Sequence, residues 1–585
     1  MSATCDLLIR GGLIVDGTGA EPFTGDVAVR DGIIIDIGAF EGQAREVIEA
    51  NGRIVTPGFV DIHTHYDGQA IWSEELAPSS SHGVTTVVTG NCGVGFAPCR
   101  PADHDMLIEV MEGVEDIPGV VMTEGLPWDW ETFPEYLDAL ESRPRDIDVG
   151  AYLPHSPLRV YVMGERGAAR EPATPQDLER MGALTREAIG VGALGVASSR
   201  MMYHRTRTGE QIPSYAAADA ELQALANAMT DVGSGIVQLV LNAPTESWDS
   251  ELDHLVGVVE ASGRPATFTL GTSNSGPPVW EQAMARVADA NARGARIRAQ
   301  VLPRPIGLIM GFELSTNPFC ACPSWPAIEA LPFAERIERL RDPVVRTALI
   351  GEHPDPHNLF ALSARKWEWI FPLGDPPCYE PGREDSIAAR AVAAGVKPEE
   401  VAYDLMLQGN GHAMLYNALG NFHENRLDAV HDLMTRPDTV VGLGDGGAHY
   451  GAICDASYPT FMLTYWARDR EGPRLSLAQA VRALARDPAE MVGLRDRGLL
   501  KAGHKADINV INLDRLALHA PQVRYDLPGG GRRLDQRATG YEVTIVSGAI
   551  IRRDDMPTGA RPGRVVRGAR DAAVVPAEGS APMPA

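Results

Sequence analysis

Apolar runs and helical periodicities alternate through the middle of the chain. Between residues 57 and 495, short runs of β-branched and apolar residues precede segments with helical spacing, clearest at 175–189 and 217–232. Repeated strand-then-helix units are typical of a parallel α/β fold, whose strands are buried on both faces. Eight candidate strands predict a (β/α)8 TIM barrel: 58–63, 85–90, 148–154, 192–197, 235–240, 266–270, 297–302 and 440–444.

The two ends of the chain follow a different pattern, in which strand-like runs alternate with turns. Asp31-Gly32, between two β-branched runs, indicates a hairpin. Because each end has too few strands to bury a core alone, we predict one small β-sandwich built from 1–56 and 496–570. The interval 303–439 is too long for one barrel loop and is predicted to be a helical insertion. The Ala- and Pro-rich tail, 571–585, is expected to be disordered.

Composition narrows the classes of partner. The 585 residues carry 52 Lys and Arg against 78 Asp and Glu, a net charge of −26, which argues against nucleic acid or an anionic membrane as partner. No apolar run is long enough to span a bilayer, and the N-terminus lacks the pattern of a secretory signal, so we expect a cytoplasmic protein. Seven scattered cysteines do not form a disulfide framework.

Candidate metal ligands follow several predicted strands. His63 and His65 are two residues apart, so they project from the same side if the first strand continues through them. Cys92 follows the second strand, His155 the third and Asp445 the eighth. In a barrel these positions converge on one rim, and Zn²⁺ accepts nitrogen, sulfur and oxygen donors. Each residue taken alone also has an ordinary structural explanation, as a buried thiol or a turn residue.

Several segments together resemble the amidohydrolase superfamily and, within it, the N-acyl-D-amino-acid deacylase (D-aminoacylase) branch. They are Leu8-Ile-Arg-Gly-Gly-Leu-Ile-Val-Asp-Gly, Thr56-Pro-Gly-Phe-Val-Asp-Ile-His-Thr-His, Gly90-Asn-Cys-Gly-Val-Gly, Gly444-Asp-Gly-Gly-Ala-His and Gly503-His-Lys-Ala-Asp-Ile. The resemblance implies a zinc-dependent hydrolase of amide bonds with His63, His65, Cys92 and Asp445 around the metal. It also implies that Asp445 is catalytic and moves a proton from the nucleophilic water toward the leaving nitrogen.

The chain departs from this branch at the second metal position and at the substrate contacts. The branch has a histidine after strand five and another after strand six, whereas 235–244 and 266–274 contain none. We therefore predict one zinc ion and a degraded second site. The lysine and tyrosine that the branch directs at the substrate are also missing. His155, Arg159, Arg200, Tyr203 and His449 are the candidates for substrate binding.

Three functions remain open from the sequence. The first is hydrolysis of N-acyl-D-amino-acid-like substrates, and the second is hydrolysis of a cyclic amide, imide or lactone at the same centre. The third is a non-catalytic relative that binds a small molecule. In each case the expected partner is a small molecule, and assembly into a homo-oligomer is left open.

Overall fold

The computed structural model describes residues 4–215, 217–242, 248–276, 279–354, 362–570 and 572. The predicted disordered tail lies, apart from residue 572, outside the described residues. Within the described part of the chain, no helix is long and apolar enough to cross a membrane.

Eight parallel strand segments follow one another in chain order, in a sheet of three strands and a sheet of six. They are Phe59–Asp61, Val84–Thr89, Asp148–Ala151 continued by Leu153–Pro154, Gly195–Ser199, Ile236–Val240, Ala266–Thr269, Ile297–Val301 and Thr439–Val441, here strands one to eight. Each overlaps one of the predicted strands. All but two of their residues are buried in a mainly apolar interior, as parallel strands covered on both faces require.

Backbone hydrogen bonds connect the segments that follow strands one and eight. The Asp445 N–H donates to the His63 carbonyl over 3.0 Å, and the His65 N–H donates to the Gly446 carbonyl over 2.8 Å. The ends of the first and last strands are therefore neighbours, although they lie almost 400 residues apart in the chain.

Helices occupy the connections between the parallel strands. The principal ones are His104–Glu115, Gly119–Gly125, Phe133–Glu141, His155–Met163, Pro175–Val191, Asp219–Val232, Trp248–Ser262, Val279–Ala292 and Asp428–Met434, with Tyr458–Phe461, Leu477–Leu484 and Arg486–Met491 after strand eight. Pro175–Val191 shows how the sequence sets such bounds. Thr174 and Asp177 form a reciprocal capping box at its start, and Gly192 ends it in the left-handed conformation.

The two ends of the chain share one nine-stranded sheet. Its strands are Thr4–Ile14, Phe23–Arg30, Ile33–Gly38, Gln43–Glu49, Ile54–Pro57, Ile508–Ile511, Tyr541–Val546, Ala549–Arg553 and Met556–Pro557. Ile54–Pro57 pairs with Thr4–Ile14 on one side and with Ile508–Ile511 on the other. The predicted hairpin is present, with Asp31 and Gly32 both at positive φ between antiparallel strands.

The segment between strands seven and eight contains strands that the sequence pattern missed. Ile306–Met310, Ile370–Pro372 and Leu415–Gly420 form a three-stranded antiparallel sheet. Helices surround it, among them Trp325–Glu329, Phe333–Leu340, Pro343–Gly351, Ile387–Ala394 and Pro398–Met406. The prediction of a helical insertion missed these strands because each pairs with a partner distant in sequence. Local periodicity does not reveal such pairing.

Candidate metal centre

His63 and His65 follow strand one and are buried, with 2% and 1% of their surface exposed. The Nδ1 atom of His63 lies 2.6 Å from the Gln300 carboxamide oxygen at the end of strand seven. Since that oxygen can only accept, Nδ1 carries the proton and Nε2 presents its lone pair to the interior. In this tautomer Nε2 is free to bind a metal.

Cys92 lies in a sharp turn after strand two, with a left-handed φ of 57°. Its N–H donates to the Gln238 carboxamide oxygen over 3.1 Å, so strand five holds the turn in place. Gly93 makes the turn possible, because a Cβ atom there would lie 2.7 Å from the Ser198 Cα. The Sγ atom of Cys92 lies 3.4 Å from His63 Nε2 and 3.8 Å from His65 Nε2.

Asp445 approaches the same two histidines from the end of strand eight. Its Oδ1 atom lies 3.4 Å from His63 Nε2 and 3.7 Å from His65 Nε2, and it is buried without a hydrogen-bond partner among the described residues. Leu443, Asp445 and His449 all have positive φ values, of 68°, 46° and 48°. Strained backbone of this kind clusters at functional sites, where the surroundings enforce it.

Glu115, the last residue of helix His104–Glu115, is a further member of this cluster that sequence reasoning missed. Only 1% of it is exposed, its Oε1 atom has no hydrogen-bond partner among the described residues, and its Oε2 atom lies 3.4 Å from His65 Nε2 and 3.5 Å from His449 Nε2. One signal was available. Glu115 falls four residues after Met111 and eight after Leu107, on the apolar face of its helix, where a carboxylate is out of place.

Three of the four predicted donors lie close enough together to hold one metal ion. The ligand atoms of His63, His65 and Cys92 all lie within 4.8 Å of one another, and the carboxylate of Asp445 lies beside both imidazoles. Tetrahedral zinc, bound at 2.0–2.1 Å by nitrogen or oxygen and 2.3 Å by sulfur, separates its donors by about 3.3 Å, or about 3.6 Å to sulfur. Each imidazole Nε2 lies 3.4–3.8 Å from Cys92 Sγ and from Asp445 Oδ1, close to these values, so the two histidines and the thiol fit such an ion with the carboxylate beside them.

Burial controls the electrostatics of the cluster. It lowers the pKa of His63 to about 4 and that of His65 well below its usual range, which keeps both imidazoles neutral as metal ligands require. It raises the pKa of Asp445 to about 7 and raises the pKa values of Cys92 and Glu115 well above their usual ranges. A cation among these donors would lower the pKa values of the thiol and both carboxyls, because it stabilises their charged forms.

A cavity of about 180 Å³ opens onto the cluster. Besides His63, His65, Cys92, Glu115 and Asp445, it is lined by Met201, His204, Val240, Thr269, Leu302, Ile306, Leu443, His449 and Asp455. The sequence analysis did not identify His204 as a residue of this site. Its Nδ1 atom lies 2.8 Å from the Ser199 hydroxyl, and burial lowers its pKa to about 3.

Of the five residues predicted to bind substrate, the structure brings only His449 to this cavity. His155 and Arg159 are buried around Glu221, whose Oε1 atom lies 2.8 Å from His155 Nε2 and 3.2 Å from Arg159 Nε. Arg200 is paired with Glu251 at 3.0 Å, and Tyr203 is 59% exposed on the surface. For these four residues the structure does not support the predicted substrate contact, since none of them lines the cavity.

Strands five and six carry polar residues other than histidine at the site. Gln238, in strand five, holds the Cys92 turn, and Thr269, at the end of strand six, lines the cavity.

Comparison with known proteins identifies the family of the chain. The family model described as "Amidohydrolase family" matches residues 46–552, most of the chain. The chain belongs to the amidohydrolase family. It is therefore a hydrolase that acts on carbon–nitrogen bonds, as its resemblance to the D-aminoacylase branch predicted.

Its relatives include deacylases of N-acyl-D-amino acids. The N-acyl-D-glutamate deacylase of Alcaligenes xylosoxydans xylosoxydans is 26% identical over 580 residues, which cover 98% of each chain. The D-aminoacylase of the same organism is 31% identical over 284 residues, 48% of this chain and 55% of that protein. Among solved structures, the N-acyl-D-glutamate deacylase of Bordetella bronchiseptica, complexed with zinc and a phosphonate inhibitor, superposes with a TM-score of 0.64 at 22% identity, covering 97% of this chain and all of that one. At this identity the superposition shows a shared fold.

Proposed function

We propose that this amidohydrolase cleaves an amide bond with the help of one zinc ion held by His63, His65, Cys92 and Asp445. The observation that carries the proposal is that donors from the ends of strands one, two and eight come together, with both imidazoles 3.4–3.8 Å from the Cys92 thiol and from the Asp445 carboxylate. The metal in the Bordetella bronchiseptica relative is zinc, which supports the choice of ion.

In this proposal the protein supplies the proton transfer and the surroundings. A bound zinc ion brings the pKa of a water molecule to about 7 and polarises a carbonyl group. Asp445 accepts a proton from the attacking water and returns it to the nitrogen of the breaking bond, so that an amide and water yield a carboxylic acid and an amine. Gln300 fixes the His63 ring, and Val240, Leu302, Ile306 and Leu443 provide apolar walls that limit access of bulk water.

The relatives point to the class of substrate. N-acyl-D-glutamate deacylase and D-aminoacylase act, by their names, on N-acylated D-amino acids, and we propose N-acyl-D-amino-acid-like compounds for this chain. Cyclic amides, imides and lactones are the second candidate class. The partly apolar lining of the cavity supports them, because it suits a compact neutral ring. Membership of an enzyme family argues against the third function, a non-catalytic binder.

The finer architecture belongs to the same proposal. The contact between the ends of strands one and eight supports closure of the parallel strands into a (β/α)8 barrel. We further propose that the two chain ends form a separate β-sandwich domain. The partner is a small molecule.

The proposal is tested by metal analysis combined with assays of the purified protein. We expect one zinc ion per chain and release of carboxylate from N-acetyl-D-amino acids or their derivatives. Cys92→Ser and Asp445→Asn should lower kcat by at least about 100-fold, since each alters a metal donor and the second also removes the proton acceptor. Cys99→Ser, at a buried cysteine that does not line the cavity, is the matched control. A protein that binds no zinc, or a Cys92→Ser enzyme as active as the control, would refute it.

A further inference from the structure

The cavity over the metal cluster has carboxylates in its wall but no permanent cation. Glu115, Asp445 and Asp455 line it, and its described lining contains neither lysine nor arginine. The segments outside the described residues contain no lysine or arginine either, as the sequence shows. A carboxylate on a bound ligand would therefore find no ammonium or guanidinium partner in this wall.

The arginines nearest in sequence to the strand ends are already paired. Arg159 contacts Glu221 at 3.2 Å, and Arg200 contacts Glu251 through Nε at 3.0 and 3.1 Å. Arg304 is fully buried, with its Nε 3.0 Å from Asp455 Oδ1 and its guanidinium 4.4 Å from the centre of the Tyr379 ring. Redirecting any of these side chains toward a ligand would leave a buried carboxylate without its partner, which is costly.

A bound zinc ion does not reverse this balance. Its two positive charges are matched by the Cys92 thiolate and the Asp445 carboxylate, while His63 and His65 are neutral. Arg304 and Asp455 cancel each other. Glu115 remains, and it makes the loaded cavity negative when ionised and neutral when protonated. In both cases a carboxylate on a ligand gains no net electrostatic attraction in the cavity and loses its hydration.

We infer that the substrate carries no free carboxylate next to the scissile amide: the enzyme acts on uncharged amides, such as N-acyl amino acids whose carboxyl group is masked as an amide. This inference rests on the proposed function and refines its substrate class. It separates the chain from deacylases whose names specify free N-acyl-D-amino acids, and it explains why the lysine and tyrosine of that branch are missing here.

The test compares substrates that differ only in this charge. N-acetyl-D-leucine and N-acetyl-D-methionine are assayed beside their primary amides with the zinc-loaded enzyme, and release of acetate is followed so that only cleavage of the N-acyl bond is counted. We expect kcat/KM to be at least about 100-fold higher for the amides, because a site that leaves a ligand charge unpaired discriminates strongly. Equal or higher values for the free acids would overturn the inference and leave the hydrolase proposal intact.

A cation placed in the wall should weaken the preference for amides. Met201 lines the cavity and is half-buried, so Met201→Lys introduces an ammonium group there and should reduce the ratio of amide to acid at least tenfold. Met202→Lys is the matched control, because the neighbouring residue is also half-buried but does not line the cavity. Equal effects of the two variants would contradict the assignment of this wall to the substrate.

Binding provides a readout that does not depend on turnover. Calorimetry with the zinc-loaded wild-type enzyme and non-hydrolysable analogues, in which a methylene group replaces the scissile N–H, should give a dissociation constant at least about 100-fold lower for the analogue of N-acetyl-D-leucinamide than for that of N-acetyl-D-leucine. If the zinc-loaded enzyme hydrolyses neither parent compound, the proposed function is in doubt, and this ratio then decides the inference alone. Equal or tighter binding of the acid analogue would refute it.

Discussion

Glu221→Gln tests whether His155 and Arg159 stabilise the fold or contact substrate. In the structure Glu221 is 2% exposed and lies between the two, at 2.8 Å from His155 Nε2 and 3.2 Å from Arg159 Nε. Burial raises the pKa of Glu221, but the hydrogen bond from His155 and the charge of Arg159 more than offset this, so the pKa lies below its usual value. The carboxylate is therefore charged in the folded protein, and the substitution leaves Arg159 buried without a counterion.

Removing one partner of a buried ion pair costs about 3–5 kcal/mol. The matched control is Asp231→Asn. Asp231 pairs with Arg186 at a similar 3.1 Å, but those side chains are 60% and 44% exposed, and exposed pairs contribute about 0–1 kcal/mol. With an unfolding entropy of about 2.1 cal/mol/K per residue, a loss of about 4 kcal/mol lowers Tm by about 3 °C in a chain of this length.

The assay is urea unfolding of both variants, followed by tryptophan fluorescence and circular dichroism, together with KM for the best amide substrate. We expect Glu221→Gln to lose at least about 2 kcal/mol more than Asp231→Asn, with KM unchanged within twofold. Arg159→Met, which removes the orphaned charge, should lessen the loss when combined with Glu221→Gln. Equal losses for the two single variants, or a large rise in KM without loss of stability, would refute the structural role.

Three further predictions concern the metal centre and a buried histidine. Gln300→Leu removes the acceptor for His63 Nδ1 and should weaken zinc binding about 10–100-fold in competition with a chelator, while an unchanged affinity would show that the hydrogen bond does not orient the ring. Removal of zinc by dialysis should lower the unfolding free energy by about 4 kcal/mol relative to protein in zinc at 1,000 times Kd, and addition of zinc should restore it; calorimetric traces that coincide would contradict zinc binding to the folded state. His82 is buried, with Nδ1 2.7 Å from the Thr460 hydroxyl and Nε2 2.8 Å from the Gln536 carbonyl, and burial lowers its pKa to about 4. As pH falls from about 6.5 to about 4, His82 binds a proton in the unfolded chain but not in the folded one. This difference lowers the free energy of unfolding by about 3 kcal/mol. His82→Gln should therefore flatten the loss of stability in this window, measured by urea unfolding at each pH, and an unchanged slope would contradict the assignment.

The proximity of the four predicted donors could be anticipated because they obey a local rule. His63, His65, Cys92 and Asp445 each follow an apolar strand, and the ends of parallel strands meet at one edge whatever the loops between them do. Glu115 does not follow a strand. It ends a helix in the long connection between strands two and three. Its position beside His65 depends on how that helix packs, and the sequence alone does not show this.

The structure does not support the predicted substrate contacts, for a related reason. Arg159 and Arg200 have the residue type and position suited to a carboxylate ligand, but Glu221 and Glu251, which lie 50 to 70 residues later, neutralise them. A sequence shows which charges exist and leaves open which of them pair in the interior. The missed sheet in the insertion has the same cause, because Ile306–Met310 pairs with Leu415–Gly420 across most of the inserted segment.

The strand Ile54–Pro57 has a consequence for biosynthesis. It precedes strand one, which leads to the histidine pair, and four of its backbone positions pair with Ile508–Ile511, which the ribosome produces only after most of the chain has emerged. Until then one edge of this strand is open to pairing with other chains. Polypeptides that terminate before residue 508 should thus accumulate as aggregates or chaperone clients, and metal loading is expected to be completed only after translation.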